Sequence, residues 1–406
     1  MKKIVPYSQL RKRIERDKEK KRQRRAAVHE RSDDFNKVYT TRHYIRSLRK
    51  CNAGVSFKQS VQKYNARAVT KINGDLHAVR SGNPQQAASS RKVVIRERGH
   101  RRVITPIVID NRVSQHVLCD YALIPIMEQR LIYDNGASTK GKGTSFARRR
   151  FNRHLEEAKA KWGDDFYAFV FDFKGFFDSI PHAVCMNELD RAFRDKRLVG
   201  ISMQVIESYQ ARDAETAGDN EWLKQIKNHE GRGICLGSQV SQIMALAAPN
   251  AIDHAFKDRL GVRDYKRYMD DGVMFDKSKK RLTEYREHLR RLAESVGLEL
   301  NMKKTQIIHI RKGVTFLKVR YIVRGAKTIK LLARSSAVRM RRKLKKFTRL
   351  VRDGKMTMDD VFTSIQSWLA HTRAAMAFHT RRRMLALYDD LFGGYRITKK
   401  WRRRTA

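Results

Sequence analysis

The chain of 406 residues has few cysteines and no long apolar run. Its cysteines, Cys51, Cys119, Cys185 and Cys235, are far apart and form no C-x-x-C pair, which disfavours a zinc site and favours buried, reduced thiols. No apolar stretch reaches the length that a bilayer span needs, and the first residues lack the pattern of a signal peptide. We therefore expect a soluble, cytoplasmic protein with no membrane partner.

Acidic residues are scarce relative to basic ones. The chain has 42 Asp and Glu against 89 Lys and Arg, a net charge of +47. An enzyme that acts on a small substrate rarely tolerates so much self-repulsion, whereas a polyanionic partner would relieve it. No segment combines a basic face with a strong apolar one, so a membrane surface is disfavoured. Nucleic acid is the expected partner.

The composition changes along the chain. Residues 1–80 are polar and basic with a mostly helical pattern, and "SGNPQQAASS" at 81–90 has the composition of a linker. Short strand patterns alternate with helical ones from residue 91, and 334–395 is helical again. The hydrophobic content of 41% is enough for a packed core. Two or three packed units are expected for this length.

Two adjacent aspartates stand in "RYMDDGVMF", residues 267–275. Buried charges are costly unless they are paired or hold a metal. Gly272 follows Asp270 and Asp271, and Asp-Asp-Gly is typical of a hairpin turn. Successive strand residues point to opposite faces, so only a turn lets both carboxylates serve one site. A plain solvent-exposed turn fits the pattern equally well.

A third aspartate interrupts an apolar run. Asp172 lies in "FVFDFKGFF", a pattern typical of a strand that is covered on both faces. A lone acid there needs a strong partner, and Mg²⁺ prefers carboxylate oxygens. Together with Asp270 and Asp271, it would suit two metal ions, which stabilise the attacking and leaving oxygens of phosphoryl transfer. A strand-end cap is the alternative for Asp172.

A glycine-containing segment, "GICLGSQVSQ" at 233–242, opens a long apolar helix. Gly237 would let the backbone approach a flat or bulky group closely. A simple loop-to-helix cap is the alternative interpretation.

The order of these three pieces resembles motifs A, B and C of a reverse transcriptase. "RRVITPIVIDNRVSQHVL" and "NGASTKGKGTSFA" resemble its finger motifs, "VGLELNMKKTQI" its motif D, "GVTFLKV" its primer grip and "SIQSWLAH" a thumb segment. The resemblance covers about residues 91–375. Within the family, it is nearest to stand-alone bacterial or phage enzymes of diversity-generating retroelements and of antiphage defence, the retron and group II intron-like enzymes.

The resemblance implies an α+β right-hand polymerase. We expect a basic helical N-terminal extension (1–90), fingers and a palm whose antiparallel sheet carries the YMDD hairpin (91–325), and a basic helical thumb (326–406). The expected activity is RNA-directed DNA synthesis from dNTPs with two Mg²⁺ ions, for which Mn²⁺ could substitute. Expected partners are an RNA template, here a dedicated structured noncoding RNA, and a primer or cDNA; an accessory protein or a homo-oligomer stays open. A catalytically inactive nucleic-acid-binding scaffold and an RNA-dependent RNA polymerase are the alternatives.

The resemblance also implies residue roles. Asp172, Asp270 and Asp271 match the metal-binding aspartates, helped by the carbonyl of Phe173, and Lys304, or its neighbour Lys303, is placed to protonate the leaving pyrophosphate. Phe177 falls where the family has the steric gate that excludes the ribose 2′-OH; ordinary core is the alternative. The other expected nucleotide-binding residues are Arg102, Arg112, Lys140, Lys142, Leu236, Gly237 and Gln242. For the basic residues, a solvated surface is the alternative.

Overall fold

The computed structural model describes residues 7–82, 93–97, 100–104, 106–215 and 231–397. Most of the predicted linker, from residue 83 to 90, lies outside this part of the chain, as do residues 216–230 of the polar stretch that precedes the glycine-containing segment. No helix within the described ranges combines the length and the apolar character of a membrane span.

The helices are numbered in chain order, with two π-helical turns reported beside them. They are α1 (Tyr7–Ser32), α2 (Phe35–Val38), α3 (Thr41–Asn52), α4 (Gln59–Ala66), α5 (Ala68–Arg80), α6 (Ile109–Leu118), α7 (Ile124–Met127), α8 (Thr144–Trp162), α9 (Phe176–Ser179), α10 (His182–Ala192), α11 (Lys196–Glu215), α12 (Gln239–Ala247), α13 (Asn250–His254), α14 (Lys279–Ser295), α15 (Arg334–Arg352), α16 (Met358–Thr372) and α17 (Phe378–Phe392). The π turns are Cys119–Leu123, between α6 and α7, and Ala255–Arg259, after α13; a 3₁₀ turn covers Ile310–Lys312.

The strands form three sheets. They are β1 (Val93–Glu97), β2 (His100–Ile104), β3 (Tyr167–Asp172), β4 (Lys266–Tyr268), β5 (Asp271–Asp276), β6 (Gln306–His309), β7 (Val314–Phe316), β8 (Val319–Arg324) and β9 (Lys327–Leu332). The sheet orders are β1-β2, β4-β5-β3-β6 and β7-β8-β9, and the pairs β1-β2, β3-β6, β7-β8 and β8-β9 are antiparallel. The predicted α+β fold, with helices around an antiparallel sheet, is confirmed.

The chain divides into two compact units. The first takes in the described residues of Met1–Ala147, Phe171–Gly272 and Glu287–Lys304. The second takes in those of Arg148–Val170, Val273–Arg286 and Thr305–Ala406. All three aspartates of the predicted site belong to the first unit.

In the first unit, the N-terminal helices pack against α6 and the π turn after it: the Tyr44 hydroxyl lies 3.4 Å from that of Ser114, and His43 stacks on Tyr121. Helix α1 is almost entirely exposed, whereas α3 buries Tyr44, Leu48 and Cys51. These three residues recur at the spacing of one helix face, so the pattern of the sequence explains the burial. The side chain of Thr40 caps α3 by accepting from the backbone of His43.

Carboxylates tie these helices to the rest of the first unit. Asp33 accepts from the backbone N–H groups of Arg194 and Asp195 at 2.9 and 3.1 Å. In return, the carboxylate of Asp195 accepts from the backbone N–H of Phe35 at 2.8 Å. Hydrogen bonds to a charged acceptor are stronger than neutral ones. The link therefore fixes the end of α1 and the start of α2 against the α10–α11 connection.

In the second unit, α15, α16 and α17 pack around one apolar cluster. Its buried members are Met340, Leu344, Phe347, Val361, Ile365, Leu369, Met384, Leu385, Tyr388 and Phe392. The basic run "RMRRKLKKFTR" thus carries an apolar stripe that faces the cluster, while its lysines and arginines cover the remaining surface of α15. A capping box between Thr357 and Asp360 fixes the start of α16.

Candidate active site

Strands β4 and β5 form the hairpin that carries Asp270 and Asp271. The turn consists of Met269 and Asp270, and Met269 has φ 55°, in the left-handed region that residues with a side chain seldom adopt. Strand β5 begins at Asp271. Gly272 therefore lies in the strand, and our prediction that this glycine forms the turn was wrong.

The role of Gly272 is to leave room for an aromatic ring. A Cβ atom at this position would lie 1.9 Å from the Cζ atom of Phe171, on the neighbouring strand β3. No side chain fits in that space unless the ring moves. Glycine is needed here for the close approach of the Phe171 ring rather than for a positive φ. The sequence alone does not distinguish these two reasons for a glycine.

A buried ion pair is hydrogen-bonded to the backbone of the hairpin turn. Arg267 and Asp253 are fully buried, and two bonds of 2.8 and 2.7 Å join the guanidinium to the carboxylate. Arg267 also donates to the carbonyls of Met269 (2.9 Å) and Leu246 (2.7 Å), and Tyr265 donates its hydroxyl to Asp253. A buried pair needs such additional hydrogen bonds to offset its desolvation. The bond to Met269 holds the backbone that precedes the paired aspartates.

Asp172 ends β3 and is 5% exposed. Its carboxylate accepts from Lys304 Nζ at 2.9 Å and from Asn301 Nδ2 at 3.1 Å. Its carbonyl accepts from the backbone of Asn301, and the N–H of Phe173 donates to the carbonyl of Asp270 at 3.3 Å. These bonds bring the end of β3, the hairpin turn and the segment around Lys304 together.

The electrostatics of the site follow from three close carboxylates. Burial raises the pKa of Asp271 to about 7, and the negative charges of Asp270 and Asp172 add to the rise. The hydrogen bond to Asp172 raises the pKa of Lys304 above its ordinary value, so this ammonium stays protonated. The carboxylates repel one another, and Lys304 compensates the charge only in part.

The donor set fits a divalent cation by its chemistry. Within the described residues, no three His, Cys, Asp or Glu side chains are arranged closely enough to hold a metal as they stand. Nevertheless, Asp172 and Asp271 lie within hydrogen-bonding reach of each other, and Asp270 adds a third charge. Carboxylate oxygens are the ligands that Mg²⁺ prefers, and a cation would offset the repulsion that raises the pKa of Asp271.

Phe177 differs from the aromatic residues beside it. Phe173 and Phe176 are buried and stack with ring centroids 5.6 Å apart, whereas Phe177 is half-buried at the start of α9. Its carbonyl accepts from the backbone N–H of Ile234 at 2.8 Å, which ties it to the glycine-containing segment. Because part of Phe177 is exposed, it is accessible to a nucleotide, as a steric gate requires.

The glycine-containing segment begins α12. Ser238 is the N-cap, and Gly237 before it is exposed with φ 125°. Leu236 and Gln242 are half-buried, and Gln242 Oε1 accepts from the Ser138 hydroxyl at 3.4 Å. The helix cap that we gave as the alternative is therefore present, and the exposed Gly237 next to it remains accessible.

The predicted phosphate-binding side chains have different environments. Lys142 donates to the carbonyls of Tyr133 and Asn135 at 2.9 and 3.0 Å, and burial lowers its pKa. It holds the loop together in this structure. Lys140 and Arg112 are exposed. The backbone of Arg102 lies in β2, but its side chain falls outside the described part of the molecule.

Three residues of the site were not expected from the sequence: Arg267, Asp253 and Asn301. The signal for Arg267 was a charged residue in the strand pattern that leads into the hairpin turn, which calls for a partner in the same way as Asp172 does. Nothing in the sequence identified Asp253 as that partner, because the two residues are separated by a helix end and a loop.

A protein-family comparison agrees with this geometry. The family model described as reverse transcriptase (RNA-dependent DNA polymerase) matches residues 97–322, more than half of the chain. The chain belongs to the reverse transcriptase family. The matched residues include the three aspartates, Phe177 and Lys304. No curated protein sequence matches the chain.

Solved structures of telomerase are similar to the chain at low identity. Apo telomerase from Candida tropicalis, truncated from its C-terminal domain, is 13% identical with a TM-score of 0.44, covering 65% of this chain and 60% of that one. Telomerase from Candida albicans in complex with a TWJ fragment of telomeric RNA is 12% identical with a TM-score of 0.45, covering 76% and 57%. The chain thus spans less than two thirds of the length of either telomerase.

Proposed function

We propose that this protein is an RNA-directed DNA polymerase that copies an RNA template into cDNA. The observation that carries the proposal is the meeting of Asp172 with Asp270 and Asp271, inside the segment that matches the family. Buried like charges raise the pKa of Asp271 to about 7. Such crowding of carboxylates is unfavourable for stability, which favours a functional reason for it.

The residues of the chain would divide the work as follows. Asp172, Asp270 and Asp271, with the Phe173 carbonyl, would hold the cations. When bound, two Mg²⁺ ions, or Mn²⁺ in their place, supply charge stabilisation at the attacking and leaving oxygens. Lys304, protonated and 2.9 Å from Asp172, would donate a proton to the leaving pyrophosphate.

Selection of the nucleotide would fall to residues around this centre. The ring of Phe177 would meet the 2′ position of the incoming sugar and favour dNTPs. Leu236, Gly237 and Gln242 would lie along the templating pair. Lys140, Arg112 and Arg102 would contact phosphates, because cationic side chains bind phosphate oxygens strongly. Lys142 would support the loop that presents Lys140.

The net charge of the protein is the basis for our proposal about its RNA template and its biological context. A net charge of +47 exceeds what a polymerase cleft alone needs. We infer a structured noncoding RNA as the natural partner, bound along the basic N-terminal extension and the basic helix α15. A bacterial or phage retroelement, or an antiphage-defence system in the cytoplasm, would supply such an RNA.

The test is primer extension by the full-length protein on an RNA template annealed to a DNA primer, with dNTPs and Mg²⁺. The wild type should extend the primer, and chelation of the metal should stop it. Asp270→Asn should abolish synthesis while leaving the fold and RNA binding intact. Asp190→Asn, a change of the same charge at an exposed position of α10, is the matched control and should remain active.

Each alternative gives a different result in this assay. A wild type that binds RNA but incorporates no nucleotide would be the inactive scaffold. Preference for rNTPs over dNTPs would indicate an RNA-dependent RNA polymerase. Extension by Asp270→Asn within a few-fold of the wild type would remove Asp270 from the site.

A further inference from the structure

A basic cavity lies in the first unit, and the predicted catalytic residues are not part of it. It has a volume of about 450 Å³, and its walls come from α1, the residues after α7, α10, α13 and the following π turn. Its arginines are Arg25, Arg130, Arg191 and Arg259. None of the site residues predicted from the sequence lines it.

Two of these arginines are oriented by backbone carbonyls. Arg25 donates to the carbonyl of Gln129 at 3.3 Å, and Arg130 donates to that of Arg191 at 3.1 Å. The Nε–H of Arg130 is buried and has no acceptor among the described residues. A planar guanidinium held by one edge presents its remaining donors in a fixed direction, which suits the oxygens of a phosphate.

Two histidines, His254 and His29, belong to the same walls. His254 lines the cavity with its Nε2 against the carbonyl of Arg130 at 2.8 Å. Its neighbour Asp258 raises the pKa of His254, against the opposing effect of burial. His29, from α1, pairs with Asp33 at 3.3 Å. Both imidazoles are held in place by hydrogen bonds to carboxylates.

One acidic residue, Glu188, also lines the cavity. It is 5% exposed, with its oxygens 3.6 Å from Arg191 and 3.9 Å from Arg130. These distances are too long for strong hydrogen bonds, so neither guanidinium is saturated by it. Burial raises the pKa of Glu188 above its ordinary value, which weakens its competition with an anion. The residues that line the cavity include four arginines and one glutamate, a net positive set, and the nearby carboxylates of Asp33 and Asp258 are each paired with a histidine.

We propose that this cavity is a phosphate-binding site, and that the phosphate it takes belongs to an RNA backbone. Free nucleotide phosphate shares this chemistry. The RNA assignment is favoured because α1, which supplies Arg25 and His29, continues away from the cavity as an exposed helix rich in lysine and arginine. A chain of phosphates could follow that helix, whereas a single nucleotide would leave it unused. The site would anchor RNA apart from the three aspartates.

The test compares two double variants of the full-length protein. Arg191→Gln with Arg259→Gln removes two cavity charges; Arg194→Gln with Arg263→Gln removes two exposed charges nearby that do not line the cavity. The probe is a short fluorescein-labelled oligoribonucleotide, with anisotropy measured over a range of salt concentrations. The cavity variant should bind about tenfold more weakly, with a log–log salt slope less steep by about 1.4, roughly 0.7 for each of the two lost contacts, while the control stays near the wild type.

Equal losses in the two variants, or no loss in either, would overturn the proposal, provided that both unfold at the wild-type midpoint. Calorimetric titration with dATP in the absence of metal distinguishes the source of the phosphate. If the cavity variant loses dATP binding but keeps RNA binding, the site is a nucleotide site and the RNA assignment is wrong. Because the readout is binding, its outcome is independent of whether the protein synthesises DNA.

Discussion

The guanidinium of Arg267 donates to the carbonyl of Met269 at 2.9 Å while two further bonds join it to Asp253. The ion pair thus connects the buried end of α13 to Met269, the residue of the hairpin turn that has a positive φ. Left-handed backbone at a residue with a side chain is unfavourable and persists where its surroundings fix it. We infer that Arg267 positions the turn that carries Asp270.

Replacement of Arg267 by lysine should therefore slow synthesis more than it weakens nucleotide binding. Lysine keeps the charge but cannot form the bidentate pair and reach Met269 together. We expect the single-turnover rate to fall roughly 10- to 100-fold, since small displacements of catalytic groups have effects of this size, with the dNTP concentration for half-maximal rate little changed. A folded Arg267→Lys protein with the wild-type rate would contradict the role, and Arg263→Lys, at an exposed site, is the control.

Replacement of Asp253 tests the pair from the other side. Asp253→Asn leaves a buried guanidinium without its counter-charge, which typically costs about 3–5 kcal/mol. We expect a clear fall in the midpoint of urea unfolding. An unchanged midpoint would mean that the carbonyls of Met269 and Leu246 are enough to satisfy Arg267.

Phe177→Ala should raise the incorporation of rNTPs relative to dNTPs by roughly tenfold or more, the usual scale for a steric exclusion of this size. The reason is that the ring of Phe177 is half-buried, whereas its neighbours Phe173 and Phe176 are buried. Phe177→Tyr keeps the ring and should keep the preference. An unchanged ratio in an active Phe177→Ala enzyme would assign the ring to the core.

The pH dependence of stability should show the cost of a buried carboxylate in the N-terminal helices. Burial, with the nearby charge of Asp110, raises the pKa of Asp75 from 3.8 to about 6. A raised pKa means that the folded state binds the proton more tightly. The stability that protonated Asp75 contributes to the folded state is therefore fully present below pH 3.8 and is lost as the pH rises through 6.

Asp75→Asn should remove this loss. We expect the variant to be more stable than the wild type by about 1–2 kcal/mol at pH 7.5, allowing for partial exposure, and by less at pH 5. Urea unfolding at the two pH values measures the difference. Asp17→Asn, on the exposed α1, should show no such dependence; an equal gain at both pH values in Asp75→Asn would contradict the electrostatic cause.

Deletion of residues 1–24 should weaken RNA binding without unfolding the protein. This segment carries eleven lysines and arginines, and its described part is exposed helix that precedes the contacts of Arg25, His29 and Asp33. Affinity for RNA should fall, and the log–log salt slope should become less steep by about 0.7 for each lost contact with a single strand. Extension of a pre-annealed primer at saturating concentration should survive. RNA binding as tight as that of the full chain at the same salt would exclude this segment as an RNA-binding arm.

The sequence predicted the parts of the site that follow from local chemistry. Asp172 was identified because a lone acid in an apolar strand needs a partner, and the structure gives it Lys304 and Asn301. The helical N-terminal and C-terminal segments followed from periodicity in the same way. Such signals are readable because the residue and its reason lie within a few positions of each other.

Features that depend on distant partners were missed or misassigned. Gly272 was assigned to the turn, although its reason is the ring of Phe171, which is far away in the sequence. Arg267 was not identified as a site residue, because its role in the turn depends on its ion pair with Asp253. In each case, the deciding contact is tertiary, and no local pattern encodes it.

The contact between Phe171 and Gly272 constrains the order in which this hairpin can change during evolution. Any side chain at position 272 meets the ring within 2.5 Å, so a substitution there is excluded while the phenylalanine remains. Once position 171 holds a small residue, the same substitution becomes acceptable. The two positions are therefore epistatic: a change at 272 that comes first meets the ring, and only a path that changes 171 first avoids this clash.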